Sequence, residues 1–251
     1  MTQGHDIAFY SALLACHQYA FIDHATTSAE TMEGLPLIPL VPWEMKRDIA
    51  LTPALLPLTP ESPYMERLAV GMKMGESNVS LNAIKTLIAT APNIEQCRLE
   101  KHLISRLIFY RQHGGRGFLR YYSSDIFPHL VRALPPSRLK KLFGLDGQVL
   151  NWTFRFQNDW ITVPAPEASG PMLQAWIMTK TDIEALDLVG EIEHVLGIYR
   201  KEMGRPWKDY AEWDEKARAI ENILRSVASH SDADHTATHT FTVNEWAAML
   251  A

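Results

Sequence analysis

The residues of this chain best equipped for chemistry are a few histidines, aspartates and one glycine-rich turn. His113-Gly114-Gly115-Arg116-Gly117 has the composition of the loop with which esterases offer backbone N–H groups to a developing oxyanion. Such a loop works only beside a nucleophile elbow, and the chain contains no Gly-x-Ser-x-Gly. The aromatic runs on either side fit a hairpin turn instead. Asp232, Asp234, His235 and His239 set two imidazoles four residues apart among carboxylates, a spacing that holds a divalent cation if the segment is helical. The segment is aperiodic, has no Glu beside His235 and no third ligand at fixed spacing, so it reads as solvated polar loop. Asp23-His24, with His17 nearby, would make an acid/base pair at a strand end, but residues so close in sequence often adjoin by chance. Gly71, Gly75, Gly114, Gly115 and Gly117 match neither a dinucleotide fingerprint nor a phosphate loop. The sequence therefore predicts no catalytic, metal or cofactor-binding residue.

Aromatic side chains offer a second kind of site. Trp207, Tyr210 and Trp213 sit three apart in a stretch otherwise full of charges, with Arg205 and Lys208 beside them. They are either helix core or exposed anchors for a partner protein, since tryptophan, tyrosine and arginine dominate binding hot spots. Trp152, Phe154 and Phe156 alternate along one run and belong on a single buried strand face.

The elements that must position these residues follow from periodicity. Asp6 caps a predicted helix with Ile7, Tyr10, Leu13, Leu14 and His17 on one face, and a strand follows at Tyr19-Ala20-Phe21-Ile22-Asp23. Residues 35–63, with Pro36, Pro39, Pro42, Pro53, Pro57 and Pro60, read as extended loop and edge strand, because proline cannot donate to a central ladder. A helix is predicted over about 62–74 and a buried strand over 83–89. Asn93-Ile94-Glu95-Gln96 resembles a capping box before a helix carrying Leu99, His102, Leu103 and Arg106. Two hairpins are predicted: 107–111 with 118–122 across the glycine-rich turn, and 149–156 with 160–163 across Asn158-Asp159. Between them Ser124 and Ser137 are candidate caps of two short helices.

Val163-Pro164-Ala165-Pro166-Glu167-Ala168-Ser169-Gly170-Pro171 then breaks the pattern. Its prolines remove backbone donors and disfavour helix, so it reads as a linker between two lobes. The predicted class is α+β: a mixed lobe with β-hairpins over residues 1–165 and an all-helical lobe over 172–251. In the second lobe a capping box at Thr181-Asp182-Ile183-Glu184 starts one helix that stops at Gly204. Pro206 starts another, the two pairing as a helical hairpin. Thr240 to Trp246 suggests a short strand or turn and a last helical turn.

Composition narrows the function. The chain has 251 residues, 47% of them hydrophobic and 21% charged, enough apolar material for a buried core. A formal net charge of -5 lacks the basic excess that a phosphate backbone requires, which argues against nucleic acid as the main partner. No apolar run approaches the roughly 20 residues of a spanning helix. The start Met1-Thr2-Gln3-Gly4-His5-Asp6 lacks the basic and apolar regions of a secretory signal, so the expected location is the cytoplasm. Cys16 and Cys97, each in an apolar-periodic segment without a Cys-x-x-Cys partner, are expected to be reduced core thiols.

One ordered set of residues carries a family resemblance. Gly117-Phe118-Leu119-Arg120-Tyr121-Tyr122, then Ile126-Phe127, Leu130 and Leu134, then Leu139, Leu142-Phe143-Gly144 and Trp152 resemble the core pattern of the type VI secretion adaptor family. Upstream, Phe21-Ile22-Asp23, Thr52-Pro53-Ala54-Leu55-Leu56 and His102-Leu103 with Arg106-Leu107 are similar to its first strand, proline-led strand and helix before the hairpin. The likeness spans about residues 19–163. Ser123, Ser124 and Asp125 stand where the family has Asp-Pro-Arg, and Gly144-Leu145 departs from its Gly-Pro. The resemblance implies a non-enzymatic cytoplasmic adaptor or chaperone that binds a toxic effector and loads it onto the spike protein. It also implies Arg120, Tyr121 and Tyr122 as protein-binding residues, beside Arg205, Trp207, Tyr210 and Trp213 of the second lobe. Two competing readings stand beside it: a small hydrolase with a histidine-based site, and an immunity or scaffold protein.

Overall fold

The computed structural model describes residues 6–74, 84–91, 94–112, 114–145, 148–157, 159–163 and 177–231. Helices and antiparallel sheets make it α+β, as the patterning predicts. The chain divides into two compact units, Met1–Lys180 and Thr181–Ala251. Most of the expected linker, the Asn93 end of the expected capping box, the aspartate–histidine cluster at 232–239 and the expected elements after 240 lie outside the described residues. No helix among the described residues is long and apolar enough to cross a membrane.

The first unit opens with α1 (Ile7–Ala15), capped by Asp6, whose Oδ1 accepts the Phe9 N–H at 2.8 Å. It continues through β1 (Tyr19–Asp23), α2 (Ala29–Met32), β2 (Ile38–Pro39), β3 (Pro53–Pro57), α3 (Tyr64–Met74) and β4 (Ile84–Ala89). Next come α4 (Gln96–Leu107), β5 (Ile108–Arg111), β6 (Arg116–Phe118), α5 (Phe127–Ala133), α6 (Pro136–Phe143), β7 (Gly144–Leu145) and β8 (Gln148–Val149). The unit closes with β9 (Asn151–Phe156), β10 (Asp159–Val163) and β11 (Ile177–Met178).

Six strands form one sheet in the order β10-β9-β4-β1-β3-β2, every neighbouring pair antiparallel. The period-2 alternation of β1 gives the sheet two buried faces. Ala20 and Ile22 join Ala54, Leu56 and Leu87 beneath Tyr10 and Leu14 of α1 and Leu68 and Met72 of α3. Phe21 faces the other way, into an aromatic layer with Tyr121, Tyr122 and Trp152. The ladder slips once. Phe21 pairs with Thr86 but Ile22 with Ile84, which leaves Lys85 as the extra residue of a β-bulge.

Several local expectations are corrected. The edge strand of the proline-rich stretch is β2 alone, because β3 lies between β1 and β2. Its prolines are tolerated there at the strand ends, while Ala54, Leu55 and Leu56, all fully buried, fill its middle. The first hairpin forms, with positive φ at Gly114 and Gly115, but β6 ends at Phe118 and the chain turns at Arg120–Ser123. A Cβ at Gly117 would stand 2.3 Å from the Phe109 ring, so any other residue there forces that ring to shift. The second hairpin, β9 with β10, pairs as expected. Neither Ser124 nor Ser137 caps a helix. Prolines occupy the first turns of α5 and α6 and satisfy their φ requirement without a side-chain acceptor. Cys16 and Cys97 are exposed rather than core thiols, one at the C-terminal end of α1 and the other in the first turn of α4. Beyond the proline-rich segment, where helix was expected, Ile177–Met178 pairs parallel with β5, so the first unit continues to Lys180.

In the second unit the expected single helix is two, α7 (Lys180–Asp187) and α8 (Val189–Met203), and nothing in the sequence marks the break at Leu188. Gly204, at φ 64, ends α8 in the left-handed region, as predicted. The last helix among the described residues, α9 (Tyr210–Ser231), starts later than Pro206 suggests, because Asp209 Oδ1 accepts the Glu212 N–H at 2.9 Å and takes the cap. α8 and α9 pack together; Ile192, Val195 and Leu196 are buried on one, Trp213, Ala217 and Ile220 on the other.

Candidate docking surface

The turn after β6 sets Arg120 against the C-terminal end of β1. Arg120 Nη2 donates to Asp23 Oδ2 at 2.6 Å, and Asp23 Oδ1 accepts the Ala25 N–H at 3.1 Å. The Asp23 side chain is 2% exposed and that of Arg120 44%. Burial alone would lower the Arg120 pKa; the Asp23 carboxylate and Tyr122 more than offset it and hold the value above the usual one. Arg120 also lies 5.9 Å over the Tyr122 ring. The pair is a clamp that ties the segment after the hairpin to the first strand, with one side of the guanidinium reachable from solvent.

Tyr121 and Tyr122, read from the sequence as partner-binding residues, are fully buried. The Tyr121 hydroxyl donates to the Leu103 carbonyl at 2.7 Å, and burial drives its pKa well up. Burial, with the negative charge of Asp23, pushes Tyr122 up to about 12. Two adjacent residues can both face inward here because they lie in a turn and not in a strand.

The second-unit set is corrected in the same sense. Trp207 is buried and stacks on Tyr199 with ring centroids 5.8 Å apart; Trp213 is buried and stacks on half-buried Tyr210 at 5.4 Å. Arg205 is exposed and bidentate on Glu212, at 2.6 and 3.1 Å. That guanidinium, with the Lys208 backbone N–H, lowers the Glu212 carboxyl to about 2. Of the seven expected residues, Arg120 and Arg205 reach solvent most and both are held in ion pairs.

The exposed apolar surface lies where sequence patterning gave no signal. Residues 40–52 connect β2 to β3, and the loop is closed at its base by the Leu40 N–H donating to the carbonyl of Pro53, the first residue of β3, at 2.9 Å. Two 3-10 turns, Trp43–Met45 and Ile49–Leu51, fill it. Trp43 is 75% exposed, with Lys46 Nζ 3.7 Å from its ring centroid. Ile49 and Leu51 are also exposed. The Tyr110 hydroxyl donates to Glu44 at 3.3 Å and Arg116 approaches the same carboxylate at 3.8 Å, so β5 and β6 flank the loop. Ile177, also exposed, pairs with Tyr110 on the strand beside the loop. A tryptophan inside a proline-rich aperiodic stretch has no repeating face to bury it, and that was the one available cue.

The catalytic candidates are not brought together. β1 separates His17 from Asp23, which is committed to Arg120. His17 is a satisfied core histidine. Its Nδ1–H donates to the Leu13 carbonyl at 2.7 Å, which leaves Nε2 to accept from Thr153 Oγ1 at 2.8 Å. Burial lowers its pKa below 6.5, against the pull of the Leu13 carbonyl. Below pH 6.5 the unfolded chain therefore binds more protons at this site than the folded one, and stability must fall as pH drops through that range. Urea unfolding at pH 7 and pH 5 should show this loss reduced in His17→Gln; an identical pH slope in the variant would contradict the assignment.

Among the described residues no three His, Cys, Asp or Glu side chains are grouped to hold a metal ion. Comparison with known protein families, curated proteins and solved structures finds no match.

Proposed function

We propose that this chain is a non-enzymatic adaptor that binds a type VI secretion effector in the cytoplasm and promotes its loading onto the spike protein. The observation that carries the reading is the aromatic platform at Trp43, a large side chain held out to solvent by a loop whose ends are locked into the sheet. Exposed tryptophan on a pre-ordered support is the usual energetic centre of a protein interface. The resemblance over residues 19–163 supplies the kind of partner. Arg120 on the first unit and Arg205 on the second each serve in this reading as marginal polar contacts, where charges tune association more than affinity.

Co-expression with the protein of the adjoining gene and with the spike tests it. The expected result is co-elution of the chain with that protein, and loss of its secretion when the chain is deleted. A chain that elutes alone in every combination, in cells whose secretion is unaffected by its deletion, would end the proposal.

A further inference from the structure

We infer that the Trp43 platform receives an acidic, apolar segment of the partner protein, with Lys46 and Arg47 reading its carboxylates. This rests on the adaptor reading and adds the chemistry of the occupant. Five of the eight large apolar side chains exposed among the described residues lie on this loop or on the strands beside it: Trp43 at 75%, Leu51 at 53% and Ile49 at 48% on the loop, Ile177 at 49% and Tyr110 at 41% on the paired strands that Glu44 joins to it. Apolar exposure grouped in this way marks an interaction surface, whereas single exposed residues do not.

Charge selects the occupant. The loop and its flanking strands carry Lys46, Arg47, Arg111 and Arg116 against Glu44 and Asp48, a surplus of two positive charges on a chain whose net charge is -5. Glu44 is engaged by Arg116 and Tyr110, so this acid and one of the four cations offset each other and leave Lys46, Arg47 and Arg111 against Asp48. Lys46 and Arg47 are exposed beside Trp43, in the polar rim that surrounds an aromatic hot spot. A second copy that met this rim symmetrically with its own would set like charges against each other, and a basic segment is mismatched for the same reason.

The support is also ordered before binding. Backbone bonds run from Met45 to Pro42, Asp48 to Met45, Leu51 to Asp48 and Thr52 to Ile49, all between 2.9 and 3.0 Å, and the Thr52 hydroxyl adds a bond of 2.8 Å to the Ile49 carbonyl. A loop turned in this way gives up little freedom when it is covered.

The test uses the full chain in the producing cell, with the photo-crosslinking residue p-benzoylphenylalanine placed at position 43 and the captured segment sequenced. A segment with more Asp and Glu than Lys and Arg around apolar residues is expected. Its synthetic peptide should bind the purified chain, and Trp43→Ala, or Lys46→Glu with Arg47→Glu, should each weaken it at least about tenfold without moving the thermal midpoint. Ile7→Ala, at an exposed apolar residue of α1, serves as control and should leave binding unchanged. Capture of a basic or neutral segment, of a second copy of this chain, or binding instead to phosphatidylglycerol vesicles overturns the inference. So does peptide binding that is indifferent to the two charge reversals. If the effector complex forms but nothing crosslinks at position 43, the platform proposal fails and the adaptor reading stands; if no complex forms, both fail.

Discussion

Replacing Trp152 by alanine should destabilise the first unit by about 3–5 kcal/mol, a large part of the roughly 5–15 kcal/mol that holds a domain together. Trp152 is fully buried on β9 and lies between two parallel rings, Phe21 at 5.5 Å and Phe127 at 5.4 Å, both at an interplanar angle of 19°. Tyr121 and Phe143 meet it edge-on at 5.6 and 6.0 Å. Its removal leaves a cavity lined by side chains from β1, α5, α6 and the turn after β6, so no single element can move in to fill it. Polar loss adds nothing, because the indole Nε1–H has no acceptor among the described residues. Trp152→Phe keeps a ring in the stack and removes that unsatisfied donor, and it should cost much less than the alanine change. Urea unfolding of the three proteins decides the matter. An alanine variant within about 1 kcal/mol of the parent would mean that the aromatic layer is not the centre of this core.

Much of that layer was legible. Trp152, Phe154 and Phe156 alternate, and a strand is the only element that puts such residues on one face. β1 and β4 were legible as short, largely apolar runs, and Asp6 and Gly204 because capping and left-handed termination demand particular residue types. What failed depended on contacts distant in sequence. Arg120 meets Asp23 across 97 positions, and no local pattern announces a pair of that separation. Tyr121 and Tyr122 follow a strand without belonging to it, so the alternation rule, which would send one outward, does not apply to them. Pro206 was a permissible helix start, yet Asp209 supplied a better cap three residues on and left Trp207 in the preceding turn, stacked on Tyr199. β11 was hidden because two residues carry no periodicity at all. The platform escaped for the opposite reason: periodicity finds buried faces, and Trp43, Ile49 and Leu51 are not buried.

Trp213 separates the two roles a tryptophan can play in such a protein. It is 4% exposed, stacked on Tyr210, and followed on the same helix by Ala217 and Ile220, both fully buried at four- and seven-residue spacing. That stripe packs with α8, where Ile192, Val195 and Leu196 are buried. Among the described residues of the second unit, few large side chains besides these are buried, and most of the buried ones lie on this helix pair. Trp213→Ala should therefore cost about 3–5 kcal/mol and melt this unit at a temperature well below that of the parent protein. Trp213→Phe should recover most of the loss, since packing and not the indole N–H is at stake. Partner binding in Trp213→Ala should follow the folded fraction, falling near its melting temperature and intact well below it. At Trp43 the opposite division is expected, with binding lost and the midpoint unmoved. Circular dichroism and co-purification on the same preparations distinguish these patterns. A Trp213→Ala protein that melts like the parent but no longer holds its partner would make this residue an anchor after all and would refute its assignment to the core.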